Sequence, residues 1–201
     1  MRKLLLACWL TVIFGAICAI FWYNEWRYSL PTPVPQYYSN VKIGEHIDIA
    51  GLAGYEPDKP LLIHFFNPDC PCSKFNMPHL KSLQKKYGDK VSFMVVLINK
   101  TGSYTPDQIK AKYDLHIPVV CDTTVASRCG VYSTPQAAIL DAGGNLYYRG
   151  NYNRSRYCTD KNSEFVKMAI DSLLSKNARP QFNQFAFTAY GCQVNSGYCK
   201  K

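Results

Sequence analysis

The sequence has neither of the common glycine-rich phosphate loops, so nucleotide binding through a helix N-terminus has no anchor here. It has no C-x-x-C pair, which removes the usual spacing of a structural zinc site despite nine cysteines. Internal repeats are missing, and acidic residues are few: 14 Asp plus Glu stand against 23 Lys plus Arg, for a net charge of +9. The basic residues are scattered rather than gathered into a stripe with interleaved aromatics, so a nucleic-acid-binding surface is not expected. Charged residues make up only 18% of the chain and apolar ones 47%, enough to bury a core and too apolar for disorder.

What is present begins with an uncharged run, Leu4 to Tyr23, LLLACWLTVIFGAICAIFWY. At about 1.5 Å per residue, twenty helical positions match a hydrocarbon core of about 30 Å. Arg2 and Lys3 precede the run, and Trp22, Tyr23, Trp26 and Tyr28 gather at its far end, where amphipathic rings favour the interface. The end of the run is bulky where a cleaved signal needs small residues. The expectation is an uncleaved anchor over 1–28, in a bacterial inner membrane, with a cytoplasmic N-terminus and a periplasmic C-terminal part. Seven further cysteines beyond this point suit an oxidising compartment.

Residues 29–40, SLPTPVPQYYSN, carry prolines at 31, 33 and 35 and read as a semi-rigid spacer. A domain is expected over 41–176, followed by a cysteine-containing tail, 177–201. Val41 to Ala50 alternates apolar and polar and reads as a strand. Leu61–Phe66 and Val91–Ile98 read as buried strands, and Cys72–Tyr87 has helical spacing. Thr105 caps a helix with Pro106 in its first position. Gln136–Leu140 and Leu146–Arg149 form a hairpin across Gly143-Gly144-Asn145, and Lys161–Leu174 is helical. This order implies an α/β sandwich with a mixed central sheet flanked by helices.

Cys70-Pro71-Cys72 follows a buried strand and opens a helix. A cysteine there meets unpaired N–H groups and the helix dipole, which stabilise a thiolate and raise its reactivity. Phe65-Phe66-Asn67-Pro68-Asp69-Cys70 resembles the F-W-A-x-W-C approach to the nucleophilic cysteine of the thioredoxin-like superfamily. Pro78 stands where thioredoxins kink their first long helix, and Ser133-Thr134-Pro135 resembles their Thr–cis-Pro loop. The resemblance covers about residues 43–175. It is similar to the redoxin branch, including membrane-anchored thiol–disulfide proteins, and a late Gly-Cys such as Gly191-Cys192 also occurs there.

The resemblance implies thiol–disulfide exchange, with Cys70 attacking, Cys72 resolving, and Thr134 with Pro135 as the surface for the partner backbone. Ser73 occupies the family's resolving position, so Cys72 lies one residue early and a distant cysteine is an alternative resolver. Peroxiredoxins carry Ser or Thr where Asn67 stands, which disfavours peroxide chemistry. No cofactor is implied beyond the disulfide itself. The implied partners are exported proteins with cysteines or disulfides and a membrane electron donor or acceptor. Cys121 with Cys129, and Cys192 with Cys199, are candidate structural disulfides, which leaves Cys158 over.

Two other classes stay open. Cys70, Cys72 and one of His46, His64, His79 or His116 would suit Cu(I), as in redoxin relatives that deliver copper. Alternatively, all the cysteines are structural and the domain is a non-catalytic interaction module.

Overall fold

The structure is a computed structural model, and it describes residues 2–49, 51–52, 56, 58–99, 102–155, 157–176 and 180–194. Two units separate, Met1–Pro31 and Thr32–Lys201. The first contains helix α1, Arg2–Ser29. Its span Arg2–Trp26 is long and apolar enough to cross a membrane, with mean hydropathy 2.6 and no part of that window buried. Trp22 and Trp26, one turn apart, stack at 5.7 Å.

The second unit is built on a five-stranded mixed sheet. Strand β1 is Leu61–Phe66 and β2 is Ser92–Leu97, paired in parallel from Leu61 opposite Ser92 to Phe66 opposite Leu97. Helix α2, Pro71–Tyr87, makes the crossover between them. Helix α3, Pro106–Tyr113, leads to β3, Val119–Val120, parallel to β2. The short helix α4, Thr124–Arg128, and the two-residue β4, Ser133–Thr134, then precede β5, Gln136–Leu140. Strand β5 runs antiparallel to β1, and β6, Leu146–Gly150, returns along it. The order is β3-β2-β1-β5-β6, so the continuous apolar run LLIHFF is the central strand. It is buried at all six positions because both faces of the sheet are covered.

Alternation along the strands divides the core. Leu62 and Phe66 face Leu80, Leu83, Ile109, Val166 and Ile170, from α2, α3 and helix α5, Phe165–Ser175. Leu61, Ile63 and Phe65 face the other layer, with Val41, Ile47, Ile49, Val125 and Cys129. Thr105 closes a capping box with Gln108, and Asp141 gathers the Gly143–Asn145 turn, as their residue types predict.

Three stretches differ from the sequence reading. The described part of Val41–Ala50 forms no strand but a turn at Gly44, φ +92°, and a single bridge from His46 to Asn145. Its alternating apolar residues still pack, because a turn held to the hairpin by Gly44 N–H to Leu146 O buries Val41 and Ile47 as well as a strand would. Residues from Thr32 onward, expected as a spacer, belong to the second unit. Thr32 N–H donates to Ala189 O at 2.8 Å, and Tyr38 packs edge-on against Tyr132. The stretch after α5 contains helix α6, Gln184–Phe187, and strand β7, Cys192–Gln193, which pairs with β4.

Candidate active site

The site lies where β1 ends and α2 begins. Asn67 shapes the approach: its carbonyl accepts from Cys70 N–H at 3.1 Å, its side-chain oxygen from Asp69 N–H at 2.9 Å, and its own N–H donates to Ser73 Oγ at 3.3 Å. Ser73 is thus a fully buried brace in the first turn of α2. Cys70 is the N-cap, in extended conformation, and Pro71 sits in the first turn, where a missing N–H costs nothing. Pro78 lies inside α2, which continues to Tyr87.

Opposite stands a cis peptide between Thr134 and Pro135. Cys70 Sγ is 3.6 Å from the carbonyl oxygen of Thr134, so the four residues expected from sequence converge in part: Cys70, Thr134 and Pro135 meet. Cys72 does not join them as the second sulfur. Cys70 is disulfide-bonded to Cys192, with Cα atoms 6.1 Å apart, well inside the range a disulfide spans. The pairing of β4 with β7 places Cys192 directly across from Thr134, and Thr134 Oγ1 donates to Cys192 O at 3.3 Å. Cys72 points inward from α2 and is 3% exposed.

The two expected structural pairs also differ. Cys192 is joined to Cys70, and Cys199 lies outside the described residues. Cys121 is disulfide-bonded, but not to Cys129, which keeps a buried thiol in the core with its pKa pushed up to about 12 by desolvation. The leftover Cys158 has a role in the support of α2. Its thiol contacts Asn76 Oδ1 at 2.9 Å, and Asn76 Nδ2 donates to Cys72 O at 3.2 Å. Burial raises the Cys158 thiol to about 12, with Glu164 adding to the effect. Neither thiol supplies a thiolate near neutral pH.

His64 is fully buried in β1, with Nδ1 2.7 Å from Tyr152 Oη, and desolvation followed by the charge of His79 lowers it to about 3. His79 is half-buried with its ring against Tyr152, and burial lowers its pKa as well. His46 sits on the hairpin carbonyl of Gly143, and His116 beside Asp114. Among the described residues, no three His, Cys, Asp or Glu side chains are placed to hold a metal ion.

Residues 47–200 match the family described as a domain of unknown function, DUF6436. The chain belongs to that family. No curated protein matches it. The DUF6436 domain is similar to an uncharacterized conserved protein from Geobacillus kaustophilus, with 24% identity and a TM-score of 0.62 over 81% of this chain and 97% of that one. It is also similar to the hypothetical protein SMc02350 from Sinorhizobium meliloti 1021, at 20% identity and TM-score 0.63, covering 80% and 98%. At these identities the likeness carries the fold. That fold is thioredoxin-like: a central parallel β1–α2–β2 unit, an antiparallel β5–β6 hairpin, a cysteine capping α2, and a cis-proline entering β5.

Sequence reasoning left a distant cysteine open as the resolver of Cys70 but did not single out Cys192. A separation of 122 residues hides it, and its only local signal is the Gly191-Cys192 step.

Proposed function

We propose that this protein is a membrane-anchored, extracytoplasmic thiol–disulfide oxidoreductase acting on cysteines of exported proteins, with Cys70 and Cys192 as its redox pair. The observation that carries this reading is the Cys70–Cys192 disulfide set against the cis Thr134–Pro135 peptide. A purely structural staple has no need of a helix N-cap or of a strand edge beside it. α1 serves as a single-pass anchor with its basic end in the cytoplasm, and the partners are exported proteins and a membrane electron donor or acceptor. The reaction needs no cofactor beyond the disulfide.

The chemistry follows from unequal access. Cys70 is fully buried, whereas Cys192 is part-exposed. An incoming thiolate reaches the Cys192 sulfur first, forms a mixed disulfide there, and breaks the Cys70–Cys192 bond. Cys70 leaves as a thiolate at the N-cap of α2, where the positive end of the helix dipole favours the charge, and is the better leaving group of the two for that reason. A second donor thiolate completes the two-electron reduction and frees Cys192. The Cys70 thiolate then attacks a substrate disulfide, and Cys192 resolves the resulting mixed disulfide, returning the protein to its oxidised form and the substrate to its thiols.

The test is a redox titration of the full chain in bacterial spheroplasts, with a membrane-impermeant alkylating reagent and peptide mass mapping. Cys70 and Cys192 are expected to become labelled together, from outside, as a glutathione buffer turns reducing, and Cys70→Ser should leave exchange undetectable. Labelling that never reaches the pair from outside would remove the extracytoplasmic placement. A pair that stays bridged in buffers that reduce ordinary catalytic disulfides would return it to a structural staple.

A further inference from the structure

Strand β7 is more than the carrier of a second cysteine. It lies antiparallel on β4 with Ser133 opposite Gln193 and Thr134 opposite Cys192, and Val194 N–H donates to Tyr132 O at 2.8 Å. Ser133 and Thr134, which form the edge beneath it, are fully buried, as is Cys70. An extended chain bearing a cysteine, paired to the residue before the cis-proline and joined through sulfur to the N-cap of α2, has the form of a bound substrate. Cys70 forms one disulfide at a time, so β7 and an incoming peptide exclude each other.

The residue before the bonded cysteine sets a condition. Gly191 has φ +121°, a region that side chains rarely adopt, and a Cβ there would run into the carbonyl group of Thr134, with Pro135 Cδ 3.4 Å away. The carbonyl of Gly191 accepts from Thr32 Oγ1 at 3.2 Å, which holds the step down from its other side. We infer that β7 is an internal surrogate for substrate and that the Ser133–Thr134 edge takes extended peptides presenting a Gly-Cys step, the glycine passing over the Thr134 carbonyl where no Cβ fits. This inference rests on the exchange reading above and names its substrate class.

The Cys70 thiolate attacks the peptide cysteine sulfur of a disulfide, the Cys70–peptide bond forms, and the other sulfur leaves as a thiolate. Cys192 then attacks Cys70, the internal disulfide forms, and the peptide departs as a thiol. Two electrons pass from the protein dithiol to the peptide disulfide, and an external dithiol restores the protein.

The experiment uses the reduced full-length chain in detergent, carrying Cys192→Ser so that the adduct at Cys70 persists. Two matched peptides, one with Gly and one with Ala before a single cysteine, are each supplied as the thionitrobenzoate disulfide. The coloured leaving group gives the rate, mass mapping assigns the adduct to Cys70, and reaction with glutathione normalises intrinsic reactivity. The Gly-Cys peptide is expected to react at least tenfold faster, and equal rates would overturn the inference while leaving exchange intact. Capture of neither peptide at Cys70 would overturn the exchange reading with it. Independently, Gly191→Ala in the chain with both cysteines should lower the oxidised-to-reduced ratio of the Cys70–Cys192 pair at least tenfold in a fixed glutathione buffer. An unchanged ratio would count against the steric condition.

Discussion

At the scale of single residues, the buried histidine has the clearest consequence for stability. His64 is held neutral in β1, lowered to about 3, and its Nε2 has no hydrogen-bond partner among the described residues. In the unfolded chain the same ring takes a proton near pH 6.5. Between those values the unfolded state binds more protons than the folded one, so stability falls as pH falls, by up to ~1.4 kcal/mol per pH unit from this group. His64→Gln should flatten the pH dependence of the urea midpoint between pH 6.5 and about 3, whatever it does to the midpoint at pH 8. A slope unchanged by the substitution would mean that His64 does not titrate differently on folding. Residue-scale chemistry was partly legible in the sequence. Cys70 and Pro71 are recognised by their place between an apolar run and a helical pattern, and Thr134-Pro135 by its place before β5. The second sulfur was not legible, because nothing local marks Cys192 as opposite Thr134 until β4 and β7 are paired.

At the scale of elements, α2 joins the site to the core. Its outer face carries Lys74, Lys81 and Lys85, while Met77, Leu80 and Leu83 enter the layer that covers β1 and β2. Leu80 is fully buried, and Leu80→Ala should cost ~2–5 kcal/mol of unfolding free energy through lost transfer energy and a cavity. Ten residues separate Leu80 from Cys70, about 15 Å along a helix, so the glutathione ratio of the Cys70–Cys192 pair should stay as in the parent at temperatures where both are folded. A shifted ratio would show that packing along α2 sets the redox pair as well as the fold. Elements with an unambiguous period and clear punctuation were legible: β1 and β5 have the expected limits, and α3 starts at its Thr105 cap. Val41–Ala50 was not, since alternation alone cannot separate a strand from a turn-containing segment that buries the same side chains. The two-residue strands β4 and β7 are too short to leave any periodicity.

At the scale of the whole molecule, the Cys70–Cys192 bond ties the first crossover helix to a segment 122 residues later. A closed loop of that length removes chain entropy from the unfolded ensemble worth about 5 kcal/mol in the entropic account. Because α2 and β5 are buried in the sheet without its help, reduction should loosen the end of the chain at β7 first and leave the five-stranded core folded. Thermal unfolding of the full chain, oxidised against reduced, should therefore show a lower transition on reduction with the far-ultraviolet signal of the folded state retained at 25 °C. Amide exchange should rise at Cys192 and Val194 and in the β4 edge, while β1 stays protected. Faster exchange throughout β1 on reduction would make the disulfide a condition of folding, and then the bond could not open and close in a working cycle. Protection confined to the core, with β7 released, is the behaviour the exchange chemistry requires: the same bond that stabilises the oxidised chain must be able to leave the strand edge without unfolding the sheet behind it.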